Sequence, residues 1–238
     1  MRSILIILFF MLMYVSAKSQ KWQPGTFTDV KGNKLTGLIN DNPGGKGPIK
    51  DEGFIEFKDD SKANPYKLSA SDLKSFTVGK DSFVVAHAPH NELWTKKELD
   101  FVKVELDEET KLYVAFVGMG TGGGGNGFGV QPVGGVGLGT GGYGGAGGGI
   151  AINVGGGRGS MGKVQTTYYF GANTAEMDQL TPINFNDVMS DIMGDEPDVL
   201  EKIRDNQFNL GNIQKLIAYF KQVKQAESEK QKAESKQN

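Results

Sequence analysis

Cysteine is absent from this 238-residue chain. Its absence excludes disulfides, a thiol nucleophile, thiolate metal ligands and the lipid-modified cysteine that tethers a bacterial lipoprotein. The folded protein must therefore be stabilised by packing alone.

Histidine is almost as scarce, with only His87 and His90, which Glu92 follows closely. Two imidazoles three residues apart and a carboxylate could bind a metal ion. Pro89, between the histidines, favours a loop that fixes no ligand geometry, so the expected state is exposed loop histidines. These are also the only histidines available as a general base, and no GxSxG elbow or other activated nucleophile accompanies them.

An excess of one charge is also lacking, since the formal net charge is −2 and acids and bases are scattered along the chain. A nucleic-acid-binding or membrane-surface protein normally carries a basic patch or stripe. We therefore expect neither nucleic acid nor an anionic membrane as a partner.

Long hydrophobic runs are missing except at the start, where Arg2 precedes twelve apolar residues, 4–15. A membrane-spanning helix needs about 20 such residues, and the small residues that follow are typical of a cleavage site. Residues 1–19 are therefore predicted to be a signal peptide. Cleavage after Ala17 or Ser19 fits, and the second is favoured. The mature chain is expected to be exported to the periplasm, the cell surface or the medium, without an integral membrane span.

Glycine is concentrated in one tract, residues 118–162, which holds 24 of the 35 glycines and a single charged residue, Arg158. Ordering 45 backbones costs on the order of 45–90 kcal/mol, more than the few apolar side chains of the tract can return by burial. As a loop insertion it is tolerable, because closing a loop of that length costs only about 3–4 kcal/mol. We predict a low-complexity insertion into one domain.

Short β-branched and aromatic segments dominate the remainder up to the tract and resume after it. The expected strands are residues 26–30, 35–39, 54–58, 73–78, 82–86, 101–106, 111–117 and 164–170. Residues 31–34 (KGNK) suit a tight hairpin turn between the first two. The last two are predicted to be arms of one hairpin. Residues 150–154 either extend this hairpin or remain loose.

Helical periodicity replaces the strand pattern after Phe170. The first helix is predicted after Asn184, and Gly194 and Pro197 end its apolar stripe. The second is predicted to start at Asp198, which forms a capping pair with Glu201. The third follows Asn209. The sequence thus predicts an α+β fold: an antiparallel β-rich domain, whether meander, small sandwich or partly open barrel, with three C-terminal helices. This domain comprises residues 20–117 and 163–223, and residues 224–238 form a polar tail, either a solvated helix end or disordered.

Three further patterns have weaker functional meanings. Residues 157–163 (GRGSMGK) match seven positions of a P-loop, but Val164 stands where Ser or Thr must bind magnesium, so nucleotide binding is not expected. Four clusters of acids are expected to be solvated turn residues. They lie at residues 51–52, 59–60, 107–109 and 195–196. Five aromatic residues could form a face for sugar or peptide, although such residues more often pack a sheet. They are Trp22, Trp94, Tyr113, Tyr168 and Tyr169.

Several segments together resemble an uncharacterised family of secreted proteins from Bacteroidota-type bacteria. They are the hairpin at 25–39 (GTFTDVKGNKLTGLI), the strand 55–58 (IEFK), the segment 66–78, the Leu112-Tyr113 pair, the strand 168–170 and the helical end 195–219. The family usually has Asp-Thr where this chain has Asn33-Lys34, so the similarity is to hairpin shape. The resemblance implies export and carries no activity, cofactor or catalytic residue.

These observations identify no catalytic, cofactor-binding or metal-binding residue. They favour a secreted or cell-envelope protein that is not an enzyme and that binds another envelope protein or polymer, with the glycine-rich tract as an interaction loop. The alternative is an envelope-polymer hydrolase whose acids and histidine come together only in the fold.

Overall fold

A computed structural model describes residues 22–89, 97–118, 150–152 and 164–234. The described residues form an antiparallel sheet and three C-terminal helices, which confirms the predicted α+β fold. The strands are β1 (Gln23–Asp29), β2 (Lys34–Asn40), β3 (Phe54–Lys58), β4 (Tyr66–Ser69), β5 (Leu73–Val78), β6 (Asp81–His87), β7 (Leu99–Leu106), β8 (Lys111–Gly118), β9 (Ile150–Ile152), β10 (Val164–Gly171) and β11 (Asp178–Gln179). The helices are α1 (Phe185–Ile192), α2 (Pro197–Arg204) and α3 (Ile213–Glu234).

The strand order requires a strongly curved sheet. Along the sheet the order is β11-β10-β8-β7-β6-β5-β1-β2-β3-β4, with β9 also paired to β10. Consecutive strands β4 and β5 thus lie four strand spacings apart, about 19 Å in a flat sheet. Only the short 3-10 helix Ala70–Asp72 connects them, and the four Cα steps from Ser69 to Leu73 span at most about 14 Å. The sheet must therefore curl to bring β4 towards β5.

A seam closes the curled part. The N–H of Gly53, just before β3, donates to the carbonyl of Leu99 at the start of β7 (2.7 Å), and the N–H of Glu98 donates to the carbonyl of Asp51 (2.8 Å). We call the part from β1 to β7 the barrel half. Its interior core consists of Phe27, Ile39, Ile55, Phe57, Ala70, Leu73, Phe76, Val78, Phe83 and Phe101. The partly open barrel, one of the predicted architectures, describes this half best.

The predicted hairpin turn between the first two strands is confirmed. β1 and β2 pair in antiparallel register from Gln23↔Ile39 to Thr28↔Lys34. Gly32 adopts a φ of +92°, which glycine tolerates better than any other residue. Asp29 fixes the turn, because its carboxylate accepts hydrogen bonds from both the backbone and the side-chain nitrogens of Asn33 at 2.8 Å.

The remaining strands lie under the helices and form the helical half with them. Its core unites Leu112, Val114 and Tyr168 of the sheet with the apolar stripes that predicted the helices, and its members are Leu106, Leu112, Val114, Tyr168, Leu180, Phe185, Val188, Met189, Ile192, Met193, Val199, Ile203, Leu210, Ile213, Leu216, Ile217 and Phe220. Ion pairs from α3 to the sheet, Lys221 to Glu105 (2.8 Å) and Lys224 to Glu108 (2.7 Å), flank this core.

The strands on either side of the glycine-rich tract are arms of one hairpin, as predicted. β8 and β10 pair antiparallel along their full length, from Gly171↔Lys111 to Val164↔Gly118. β9, inside the tract, pairs with the other side of β10 and so extends this hairpin. The residues at which β8 ends and β10 begins, Gly118 and Val164, are therefore directly paired.

Three expectations need correction. The second helix begins at Pro197 with Glu196 as its N-cap, so Asp198 is not the cap; proline suits the first helical position because its missing N–H would have no partner there. Glu196, expected to be solvated, is only 3% exposed. Strands β4 and β11 were not predicted, because four and two residues are too few for a recognisable alternation.

The two chain ends differ in how much of them is described. The signal peptide assigned to residues 1–19 lies outside the described residues. At the other end α3 continues to Glu234, so most of the predicted polar tail is an exposed helix end. Within the described part of the chain, no helix is long and apolar enough to cross a membrane.

Candidate functional site

A concavity of about 790 Å³ opens where the ends of β5, β6 and β7 meet the segment before β11. Its lining comes from four places in the sequence. The residues are Ala70, Ser71, Leu73, Val85, Ala86, His87, Ala88, Pro89, Leu99, Thr174, Ala175, Glu176, Met177 and Asp178. This volume lies within the range of about 300–1,000 Å³ that small-molecule sites occupy.

Small apolar side chains underlie the concavity. Four of the fourteen lining residues are alanines, and two of them, Ala70 and Ala86, are buried at 0% and 2% exposure. Leu73 and Met177, each 3% exposed, complete a buried apolar floor whose members belong to the packed cores. A ligand would therefore contact the half-buried apolar lining residues, such as Leu99, and not the floor itself.

Polar side chains form the rim, and hydrogen bonds hold part of it in place. Ser71 donates through its hydroxyl (2.7 Å) and its backbone N–H (3.1 Å) to the carboxylate of Glu52. In the segment before β11, Asn173 donates from its side chain to Glu176 (3.0 Å) and accepts from the N–H of Ala175 (2.9 Å). These bonds hold two separate parts of the lining in place.

His87 is exposed, as predicted, but it is the last residue of β6 and not part of a loop. It shares the concavity with Glu176 and Asp178. A histidine and two carboxylates in one concavity are the arrangement that a hydrolase would need. Both acids are exposed, however, whereas catalytic acids are more often sheltered from water. Among the described residues, no group of three His, Asp or Glu side chains could hold a metal ion.

The buried acids of the barrel half are not among the residues that line the concavity, and the sequence did not reveal them. Asp100, 2% exposed, accepts a hydrogen bond from the N–H of Phe101 (3.0 Å) and pairs with Lys97 (3.3 Å). Asp41, 8% exposed, follows β2. Burial raises the pKa of Asp41 to about 6, its own backbone N–H opposes the rise, and the nearby charge of Asp81 adds to it.

Glu196 is the buried acid of the helical half. Burial raises its pKa, and the neighbouring Glu227 adds to the effect, whereas Lys224 opposes it. One carboxylate oxygen of Glu196 has no hydrogen-bond partner. The hydroxyls of Ser69 and Thr166 also have none. None of these three residues lines the concavity.

The tyrosines pack the sheet and do not form an exposed aromatic face. Tyr113 and Tyr169 are buried on one side of the sheet, and Tyr168 is buried among the helices, where Gln214 donates to its hydroxyl. Burial raises the pKa of Tyr113 to about 12, with a smaller contribution from the charge of Asp107. Trp22 is half-buried, and the ammonium of Lys58 lies 4.5 Å from its ring.

Other predicted site residues lie outside the described part of the chain. They are His90, Glu92, Trp94 and the P-loop-like segment 157–163. Of the acid groups, 59–60 is exposed as predicted, and Glu52 and Glu108 are half-buried with the hydrogen bonds given above.

Comparison with known proteins gives no relative: no family model, no curated protein and no solved structure matches this chain. The resemblance of residues 25–39 to a secreted family therefore stays a prediction. Function has to be argued from the concavity and its residues.

Proposed function

We propose that this chain is exported and acts in the periplasm, at the cell surface or in the medium as a binding protein without enzymatic activity. Its ligand belongs to another envelope protein or polymer, and the concavity beside His87 is the binding site. The leader at residues 1–19 supports export. The observation that carries the binding function is a concavity of about 790 Å³ with a buried apolar floor and a polar rim.

Binding fits this arrangement better than catalysis does. Ligand sites are typically concave and mostly apolar, with a few polar groups that fix orientation. Here half-buried residues such as Val85 and Leu99 supply apolar area, and the rim residues Ser71 and Glu176 are held by hydrogen bonds. A catalytic site would in addition need an activated nucleophile or a buried general acid, and the cavity acids are exposed.

Hydrolysis of an envelope polymer is the second candidate, because His87, Glu176 and Asp178 line the same concavity. It predicts turnover of a glycan, peptide or ester library by the purified mature protein. It further predicts that His87→Ala abolishes the turnover while the melting temperature Tm stays within about 2 °C of the parent, as expected for an exposed residue. Turnover that is lost in this way would replace the binding proposal.

The binding site can be tested by filling it. Ala175 is exposed and lines the concavity, so Ala175→Trp should occupy it without disturbing the core. Ala226→Trp on the exposed side of α3 is the matched control. We would crosslink each variant in its native envelope and identify the captured partners by mass spectrometry.

We expect Ala175→Trp to lose partners that both the parent and Ala226→Trp retain. Partners retained by Ala175→Trp and lost when residues 119–162 are replaced by a Gly-Ser linker would instead locate binding in the glycine-rich tract. The intact mass of the exported chain tests the leader, because cleavage after Ser19 removes roughly 2 kDa by residue count. An exported chain that keeps residues 1–19 would contradict cleavage.

A further inference from the structure

One charged side chain interrupts the buried face of the sheet. Directly paired residues of neighbouring strands lie on the same face of a sheet. One row of such pairs crosses the described sheet from β1 to β10, and its members are Phe27, Phe76, Phe83, Lys103, Val114 and Tyr168. Every member except Lys103 is at most 4% exposed. Lys103 is therefore the single charged residue in this row of buried apolar and aromatic side chains.

Lys103 lies where the two cores of the molecule meet. Its neighbour Phe83 on β6 belongs to the core of the barrel half, and its neighbour Val114 on β8 belongs to the core of the helical half. An ammonium group at such a place is costly unless other groups compensate its charge. The polar contacts of Lys103 are therefore contacts at the boundary between the two halves.

A chain of ion pairs runs from Lys103 to α3. The ammonium of Lys103 lies 2.8 Å from Asp81 at the start of β6 and 3.1 Å from one carboxylate oxygen of Glu105 on β7. The other carboxylate oxygen of Glu105 lies 2.8 Å from the ammonium of Lys221 on α3. Burial alone would lower the pKa of Lys103, but the hydrogen bond to Asp81 and the charges of Glu105 and Asp81 outweigh it and raise the pKa. We call these four residues the charge chain.

The middle of the charge chain is sheltered from water, and its end on α3 is exposed. The side chains of Lys103 and Glu105 are 18% and 9% exposed, whereas that of Lys221 is 53% exposed. Removing one partner of a buried ion pair leaves an uncompensated charge and costs far more than losing an exposed pair. Within the charge chain, Glu105 is thus the group on which the contact of α3 with β7 depends most.

We propose that the charge chain is a latch that controls opening of the helical half. While Glu105 is charged and paired, it holds α3 on the sheet. When Glu105 loses its charge, the three helices separate from the sheet more often and expose Val114 and Tyr168. The barrel half stays closed, because its seam and its core contain no residue of the charge chain. This inference does not depend on what the concavity binds.

Native-state amide hydrogen exchange of the full-length mature protein tests the latch, because the exchange of protected amides reports local opening. Glu105→Gln keeps the shape of the side chain and removes its charge. We expect the amides of α1, α2 and α3 to exchange about tenfold faster than in the parent. The amides of β1 to β6 should exchange within about twofold of the parent rate.

Glu108→Gln is the matched control. Glu108 also pairs with α3, through Lys224 at 2.7 Å, but its side chain is 27% exposed and the pair does not extend to the barrel half. This variant should speed exchange in the helices by less than about threefold. Lys221→Gln is a milder second variant that removes only the exposed end of the charge chain. It should speed exchange in α3 by about two- to threefold.

Each outcome decides for or against the latch. Faster exchange that is confined to the helices in Glu105→Gln and exceeds the effect of Glu108→Gln would support it. Equal acceleration in both halves would overturn it, because the charge chain would then stabilise the molecule as a whole. An effect no larger than that of Glu108→Gln would overturn it as well. If Glu105→Gln does not fold, Lys221→Gln decides: faster exchange confined to α3 supports the latch, and unchanged exchange overturns it.

Discussion

One sheet is stabilised in two different ways along its length. In the barrel half the strands curl until residues 51–53 bond to the start of β7, and the enclosed core is rich in phenylalanine. In the helical half the sheet does not close, and three helices cover it with aliphatic and methionine side chains. The comparison teaches that a curved sheet buries its own apolar face, whereas an open sheet needs a second layer.

The two halves also differ in their polar contacts. The barrel seam places Asp100 and Lys97 at low exposure, so its polar pair is buried. The contacts of α3 with the sheet are more exposed, with the side chain of Lys221 at 53% and that of Lys224 at 37%. Exposed pairs usually contribute less than about 1 kcal/mol, whereas a buried charge that loses its partner is costly. We therefore expect the barrel half to be the more sensitive to substitution.

The largest effect is expected at the centre of the barrel core. Phe76 is 1% exposed, stacks on Phe83 with ring centres 4.7 Å apart and meets Phe101 edge-on at 5.0 Å. Phe76→Ala should lower the free energy of unfolding by about 3–5 kcal/mol. Phe220→Ala, from the other core, is its counterpart. Both variants would be unfolded with denaturant, with tryptophan fluorescence and far-ultraviolet circular dichroism as probes.

Coincident transitions by both probes would mean that the halves unfold as one unit. If the circular dichroism signal of the helices in Phe76→Ala kept the unfolding midpoint of the parent, the helical half would unfold independently of the barrel half. The two halves would then be two folding units.

The next effect concerns the seam. A Cβ atom on Gly53 would overlap the carboxylate of Asp100, whereas one on Gly44 would meet nothing within 4 Å. Gly53→Ala should therefore cost about 1–3 kcal/mol of stability, and Gly44→Ala less than about 0.5 kcal/mol. Thermal unfolding of the two variants measures the difference. Equal Tm values would show that residues 51–53 do not close the barrel in solution.

The buried acids give a pH test of similar or smaller size. The pKa of Asp41 is raised to about 6 by burial first, against about 3.9 in an unfolded chain. The stability that this group contributes is thus fully present below about pH 4 and is lost as the pH rises through 6. Asp41→Asn should remove this dependence and gain about 2 kcal/mol at pH 7.5 relative to the parent. Denaturant unfolding at pH 4.5 and 7.5 measures it.

Glu196→Gln is the matched variant in the helical half, where burial also raises the pKa of the acid. A gain in the same direction is expected, because burial and the charge of Glu227 raise its pKa against the opposing effect of Lys224. If Asp41→Asn were no more stable than the parent at pH 7.5, burial would not be penalising its charged form.

The smallest effect is expected from the glycine-rich tract. Gly118 and Val164 are directly paired, so a linker of about twelve Gly and Ser residues can replace residues 119–162, β9 included, and keep the pairing of β8 with β10. Shortening the loop this much changes its closure entropy by only roughly 1 kcal/mol, in the stabilising direction. The expected Tm is therefore unchanged or slightly higher. Loss of folding would instead mean that the tract packs as part of the core.

Local elements could be predicted from the sequence because their signals are local. Strand segments such as 54–58 and the stripe from Phe185 to Met193 carry their period within ten residues. Closure of the barrel could not be predicted in this way. It depends on Gly53 meeting Leu99, which are far apart in sequence and carry no pattern that links them.

The candidate site was only partly predictable for the same reason. His87 could be singled out because histidine is scarce. Glu176 and Asp178 are ordinary acids in a polar loop, and only the fold brings them to the histidine. The alanines of the floor are equally inconspicuous, because space between side chains has no sequence signature. Asp41 and Asp100 resemble solvated turn acids until the curl of the sheet buries them.

The order of the strands also bears on how readily the chain could aggregate. An outermost strand exposes backbone groups to which another molecule can add a strand, and long flat edges of this kind promote aggregation. In the described sheet the outermost strands are β4, with four residues, and β9 and β11, which lie along the same side of β10 and have three and two residues. Tyr66 and Lys67 are exposed on β4, and lysine on an edge disfavours further pairing. A sheet this wide thus offers neighbouring molecules very little edge on which an unwanted fibril could begin.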